Sequence, residues 1–228
     1  MPLPAQLLDP HVLGRSGAEA GRQEEGREAF RKAKGGQIAH PTRSVKLDRG
    51  TVVGMSSYSR RRIPGATYFF TVNLASRGGS DLTDRIDLLR SAYRKTVAEH
   101  PVFCDAMVIL PDHLHAVWTL PAQDAGFPER WRKIKARFSH AIGDERRRSS
   151  SKLAKRERGV WQRRYWEHLI RDDADYRAHV AYCWGNPVKH GYVARAVDWP
   201  FSSIHRDIRA GRADAEWSGS MAEGDFGE

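Results

Sequence analysis

His113 and His115 stand two residues apart in the string Leu110-Pro-Asp-His-Leu-His-Ala-Val-Trp-Thr-Leu120. Side chains alternate along an extended chain, so both imidazoles emerge on one face and can approach the same ion or the same phosphate. Leu114 then points the other way, into a core. Imidazole ligates Mn, Co or Zn well and Mg less well. Two structural or surface histidines would show the same spacing, and the spacing alone leaves that reading open. Tyr182 and Asn186 form a second pair, four apart and therefore on one face of a helix. A phenol there can attack phosphorus, and the Asn186 amide oxygen can complete a metal site. A tyrosine packed into the core is the plain alternative. Tyr176 and His179 lie on nearby turns and are rivals for local roles.

Strands and a helix must hold these residues. Thr67 to Leu74 is aromatic and β-branched, which predicts a strand, followed by a polar turn from Ser76 to Ser80. Leu82 to His100 predicts a helix, with Leu88, Leu89, Tyr93 and Val97 recurring on one face. Phe103 to Leu110 and His113 to Leu120 predict a hairpin around the Pro111-Asp112 turn. Val160 to Ile170 predicts a fourth strand or extended segment. Asp172 or Asp173 can cap a helix from about Ala174 to Trp184. That helix is expected to end near Asn186-Pro187, because the residue before proline is biased away from helical dihedrals. The order is strand, helix, strand, strand, helix, strand, helix. It predicts an α+β fold: a ferredoxin-like β-α-β-β-α-β core with an antiparallel sheet, and an additional C-terminal helix carrying Tyr182.

Composition sets a partner class and not a reaction. The chain has 228 residues, which suits one main domain with tails, and a formal net charge of +10. A strong positive balance favours nucleic acid or an anionic surface, or simply solubility. Residues 128–158 read as a long basic, partly helical stretch whose apolar face is Trp131, Ile134, Phe138 and Ile142. From Arg130 to Arg158 there are twelve Lys or Arg against three Asp or Glu, nearly the whole excess of the chain. That concentration favours a phosphate-facing surface built from Arg130, Lys133, Lys135, Arg137, Arg146, Arg147, Arg148, Lys152, Lys155 and Arg156, joined by Arg163, Arg164 and Lys189. Cys104 and Cys183 are too few for a disulfide framework or a zinc finger. The opening MPLPAQLLDP lacks the basic and apolar regions of a signal peptide. No apolar run reaches the roughly 18 residues of a membrane span, so a cytoplasmic protein with no membrane partner is expected. Residues 1–54 are Gly-rich and charged and read as a disordered or mis-annotated extension, with Met55 a candidate start. Residues 55–212 read as the functional domain, and 213–228 as an acidic, frayed tail. No Walker or Rossmann phosphate loop is found.

From about Met55 to Arg212 the chain resembles the REP-associated tyrosine transposases, within the wider group of His-hydrophobic-His single-strand endonucleases and insertion-sequence transposases. The matching strings are Gly65-Ala-Thr-Tyr-Phe-Phe-Thr-Val-Asn-Leu74, Leu110-Pro-Asp-His-Leu-His115, Trp161-Gln-Arg-Arg-Tyr-Trp-Glu-His168, Asn186-Pro-Val-Lys-His-Gly191 and Trp199-Pro-Phe-Ser-Ser203. The resemblance implies that His113 and His115 are metal ligands, that Tyr182 is the nucleophile, and that Asn186 is a third ligand. Related transposases carry Gln at the last place, and Asn is shorter. It also implies a divalent cofactor, Mg2+ or Mn2+, and a DNA partner, a palindromic repeat hairpin with a single-stranded foot. Attack by Tyr182 would displace a 3′-hydroxyl and leave a 5′-phosphotyrosine link, which a DNA 3′-hydroxyl could reverse without ATP. The closer group resembles monomers, whereas related insertion-sequence enzymes are dimers. Two other readings stand beside this one: a hairpin-binding protein with little or no cleavage, and a metal nuclease that uses water.

Overall fold

The computed structural model describes residues 62–143, 159–218 and 226. The expectations for residues 1–54, and for Arg146, Arg147, Arg148, Lys152, Lys155 and Arg156, fall outside them.

Four antiparallel strands form one sheet in the order β2-β3-β1-β4: β1 (Thr67–Asn73), β2 (Phe103–Ile109), β3 (His113–Thr119) and β4 (Trp166–Leu169). Between β1 and β2 run α1 (Asp81–Asp84) and α2 (Ile86–Glu99). Helix α3 (Phe127–Ile142) separates β3 from β4, and α4 (Asp173–Lys189) follows β4. A short 3-10 turn (Ala196–Asp198) and α5 (Ile204–Arg209) close the described order. The architecture is α+β, with helices on both faces of the sheet. All seven residues of β1 are buried, as expected for a strand covered on both sides.

The alternation of β1 and β3 divides the molecule into two layers. Tyr68, Phe70, Val72, Leu114, Ala116 and Trp118 pack on Leu89 and Ala92 of α2 and on Trp131, Ile134 and Phe138 of α3. Trp118 and Trp131 stack with centroids 4.2 Å apart. Burying one such side chain contributes about 1.5–3 kcal/mol. Phe69 and Val117 face the other way and pack with Tyr182, Cys183 and Trp184 of α4. Leu114 thus lies in the core opposite its histidine neighbours, as the alternation predicts.

Three local expectations change. The helix expected from Leu82 to His100 is broken at Arg85, which separates α1 from α2. The fourth strand is only Trp166–Leu169, and Trp161 contributes a single bridge to Leu74. Most consequentially, Pro187 lies inside α4 and does not end it. A proline removes one backbone donor, here the one that would reach the carbonyl of residue 183, yet the helix continues two residues past it. The turn is closed beyond it: His190 N–H donates to Asn186 O at 3.0 Å and Tyr192 N–H to Pro187 O at 2.9 Å.

The basic helix also differs from expectation. Its apolar face packs on the sheet layer away from α4, and its cations serve the fold. Arg130 is a correction: it is 2% exposed, pairs with Asp124 and donates to the carbonyls of His100 and Pro101. A buried guanidinium held by a carboxylate is a structural pin and not a phosphate contact. Lys133 and Arg137 both pair with Glu99, and Lys135 donates to Gln162 O. Arg163 and Arg164 are exposed, as is Lys189.

Candidate active site

The register of β1 against β3 pairs Thr71 with His115 and Asn73 with His113. Both histidines therefore project from the central pair of strands toward the α4 side. They are almost fully buried, at 1% and 0% exposure, with ring centroids 5.1 Å apart. Each ring is fixed through its Nδ1 atom. His113 Nδ1 lies 2.6 Å from Asp112 Oδ1. A carboxylate only accepts, so Nδ1–H donates and the neutral ring keeps its lone pair on Nε2. His115 Nδ1 lies 2.9 Å from Thr71 Oγ1. The Thr71 hydroxyl already donates its hydrogen to Phe226 O, so toward His115 it accepts, and that ring too keeps its lone pair on Nε2. Both rings are prepared in the same sense by a neighbour that orients them, as metal-ligating imidazoles are.

Burial pushes the Asp112 carboxyl up. The His113 hydrogen bond, the Gly78 N–H and the charge of Arg77 outweigh that and hold it below its usual value. Asp112 is thus an anion at neutral pH and a persistent acceptor for His113.

Helix α4 brings the second half of the site. Asp172 starts it, accepting from Asp175 N–H at 2.9 Å. Tyr182 and Asn186, one turn apart, are 2% and 0% exposed. The Tyr182 ring lies 5.2 Å from that of His115. Lys189 Nζ donates to the Tyr182 hydroxyl at 2.9 Å. The structure therefore gathers His113, His115, Tyr182 and Lys189 around one face of the sheet, with Asn186 buried on the same helix.

Several neighbours were not singled out by sequence. His190 lies 5.1 Å from His113, ring to ring. Asp112 stood in the sequence only as a turn residue, and Thr71 becomes a partner of His115 only once the strands are paired. Phe226 is the largest surprise. It belongs to the acidic stretch expected to fray, yet it is 7% exposed and stacks on Tyr182 at 3.8 Å with 13° between the rings. Two aromatics nine residues apart, Trp217 and Phe226, in a Gly-containing acidic stretch have no periodicity to reveal them.

A further cluster stands at the start of α4. His168, Asp175 and His179 each offer one ligand atom, all within 4.8 Å of one another, and could hold a metal ion. His168 Nε2 lies 2.9 Å from Asp175 Oδ2. Burial raises the Asp175 pKa, but hydrogen bonds from His168 and from Arg171 outweigh it and hold the carboxyl at about 2. Burial lowers the His179 pKa, against the raising effect of its Asp175 contacts. His179 Nδ1 lies 2.8 Å from the Asp175 main-chain oxygen, which can only accept, so that nitrogen carries the hydrogen and Nε2 is the atom that could ligate.

No protein-family model matches the chain. It is 44% identical over 174 residues to a REP-associated tyrosine transposase of Escherichia coli K12, covering 76% of this chain and 98% of that protein. It is 45% identical over 167 residues to a Haemophilus influenzae protein described under the same family name, covering 73% and 95%. A solved REP-associated tyrosine transposase bound to a REP hairpin superposes with a TM-score of 0.69 at 44% identity, again covering 76% of this chain and 98% of that one. A tyrosine facing a buried histidine pair, and identity of this depth over nearly the whole length of these proteins, lead to one conclusion: the chain belongs to the REP-associated tyrosine transposases, a family of DNA-cleaving enzymes.

Proposed function

We propose that the chain is a metal-dependent, site-specific single-stranded DNA endonuclease and strand transferase. It acts at palindromic repeat hairpins through a 5′-phosphotyrosine at Tyr182. The observation that carries this reading is the buried pair His113 and His115, each anchored through Nδ1, on the sheet layer that packs against α4, with the Tyr182 ring 5.2 Å from that of His115. His113 and His115 would hold the divalent ion, with Asn186 completing the set. Mn2+ suits two imidazoles better than Mg2+ does. When bound, the ion would stabilise charge developing on the scissile phosphate. Tyr182 supplies the attacking oxygen, and its burial keeps competing water from the ring. The His168–Asp175–His179 cluster is a second place that could hold an ion, but it stands at the start of α4, whereas the His113–His115 pair faces the Tyr182 ring.

The element order and the strand order β2-β3-β1-β4 support the ferredoxin-like reading of the core. The hairpin partner is supported by the relative solved on a REP hairpin. Arg163, Arg164 and the basic residues 146–156 are the remaining candidates for phosphate contacts. The active form is proposed to be a monomer. No helix among the described residues is long and apolar enough to cross a membrane.

Tyr182→Phe tests the reading directly. The variant keeps the ring and loses the nucleophile. Hairpin binding should persist, cleavage should disappear, and only the wild type should form a denaturant-resistant adduct with the 5′-phosphate side of a single-stranded substrate. Tyr165, Tyr176 and Tyr192 serve as controls. An adduct that survives in Tyr182→Phe would assign another nucleophile. Cleavage without any adduct would favour a water-using nuclease, and binding without cleavage under any divalent ion would favour a hairpin-binding protein.

A further inference from the structure

We propose that Lys189 is a catalytic residue: its ammonium stabilises negative charge on the Tyr182 oxygen as the phosphotyrosine bond is made and broken. This rests on Tyr182 being the nucleophile. Tyr182, Asn186 and Lys189 are spaced i, i+4, i+7 and so form one stripe of α4. The stripe exists only because the helix runs through Pro187 to Lys189. A helix that stopped at Asn186 would leave Lys189 in a loop with no fixed relation to the phenol. Helical side chains lean toward the N-terminus, which directs the long Lys189 stem back over the preceding turns. Its Nζ reaches the Tyr182 hydroxyl at 2.9 Å and stands 5.0 Å from the ring centroid. The phenol is 2% exposed, and a charge-assisted hydrogen bond to a buried oxygen is stronger than one in water.

The chemistry balances with Lys189 keeping its protons throughout. In cleavage the Tyr182 oxygen bonds to phosphorus and its proton leaves to water. The bond from phosphorus to the 3′-oxygen breaks, and that oxygen takes up a proton. In rejoining, a DNA 3′-hydroxyl loses its proton and forms the new bond to phosphorus. The tyrosyl oxygen then departs as phenolate and is reprotonated. In both directions the tyrosyl oxygen carries partial negative charge at the transition state, beside a cation already in place. Stabilisation that is preorganised in this way lowers the barrier and not the binding energy.

An exposed lysine near DNA has a second possible role, as a phosphate anchor, and the two roles separate kinetically. The full chain, Lys189→Gln and Lys189→Arg would be compared in single-turnover cleavage at saturating hairpin DNA with Mn2+, beside hairpin Kd across a salt series. Lys189→Gln should slow adduct formation and strand rejoining together, by roughly 100-fold, the size of removing one preorganised donor. Its Kd and salt slope should stay near those of the wild type. Lys189→Arg, which keeps the cation, should recover a substantial part of the rate. An unchanged saturated rate in Lys189→Gln overturns the proposal, whether Kd is unchanged or weakened. A weakened Kd with a salt slope reduced by about one would mark a phosphate contact instead. If the wild type forms no adduct, or Tyr182→Phe still forms one, the nucleophile assignment has failed and this proposal falls with it. The Lys189 variants need not be consulted for that outcome.

Discussion

The histidine pair owes its orientation to two residues that would not themselves touch a metal. Asp112 takes the Nδ1 hydrogen of His113 and is in turn held by Gly78 N–H at 2.7 Å. Asp112→Asn keeps the shape but removes the charge, and its amide can present N–H to Nδ1, reversing the tautomer. Metal affinity should fall by about 10- to 100-fold, the range for loss of such an orienting partner. Hairpin binding should change little, because other groups hold the DNA. A Mn2+ titration of cleavage would check this, and an unchanged midpoint would remove Asp112 from the site. At this scale the sequence was most informative where spacing maps onto geometry. His113 and His115 share a face because two is the strand period, and Tyr182 and Asn186 because four is nearly the helical one. Thr71 and His190 were invisible because their relevance depends on register and on the exit from a helix, which no local pattern encodes.

Among the elements, α4 carries the most function and is anchored at its first turn. Asp175 accepts from His168 of β4 and from the Arg171 backbone N–H, joining the helix start to the edge strand. Arg171 is mostly exposed, so its own ion pair adds little. The folded pKa of about 2 lies below the value near 4 expected for an unfolded aspartate. The stability from this link is therefore fully present above about pH 4 and lost as the pH falls toward 2. Asp175→Asn should lower Tm at neutral pH and show a smaller further loss across that acid window. A wild-type and variant pair with parallel Tm profiles from pH 6 to 2 would disprove the link. The hairpin and β1 were legible because β-branched and aromatic runs bounded by Pro-Asp or Gly turns have few other solutions. The end of α4 was misplaced because the bias of a residue before proline is a local preference, and Asn186 and Pro187 are buried against the rest of the fold. Within the basic stretch Arg130 was misread because charge count carries no direction: it serves a buried pair with Asp124.

For the molecule as a whole, the relatives match 73–76% of the chain, and the resemblance read from the sequence begins near Met55. A chain that starts at Met55 should fold and should cleave hairpin DNA like the full chain. Circular dichroism and a cleavage assay would decide, and loss of either would show that residues 1–54 are needed. The layering of the sheet has its own consequence for how the protein tolerates change. In β1 and β3 the even-numbered residues build the aromatic core while the odd-numbered ones include Phe69, Thr71, His113 and His115. A point substitution damages one layer at a time. Deleting or inserting a single codon within β3 would exchange the two, driving imidazoles among the tryptophans and turning Leu114 toward the nucleophile. Length variation in descendants of this gene should therefore be confined to the connections between strands, and a library of single-residue deletions should find β3 silent to rescue by any compensating substitution.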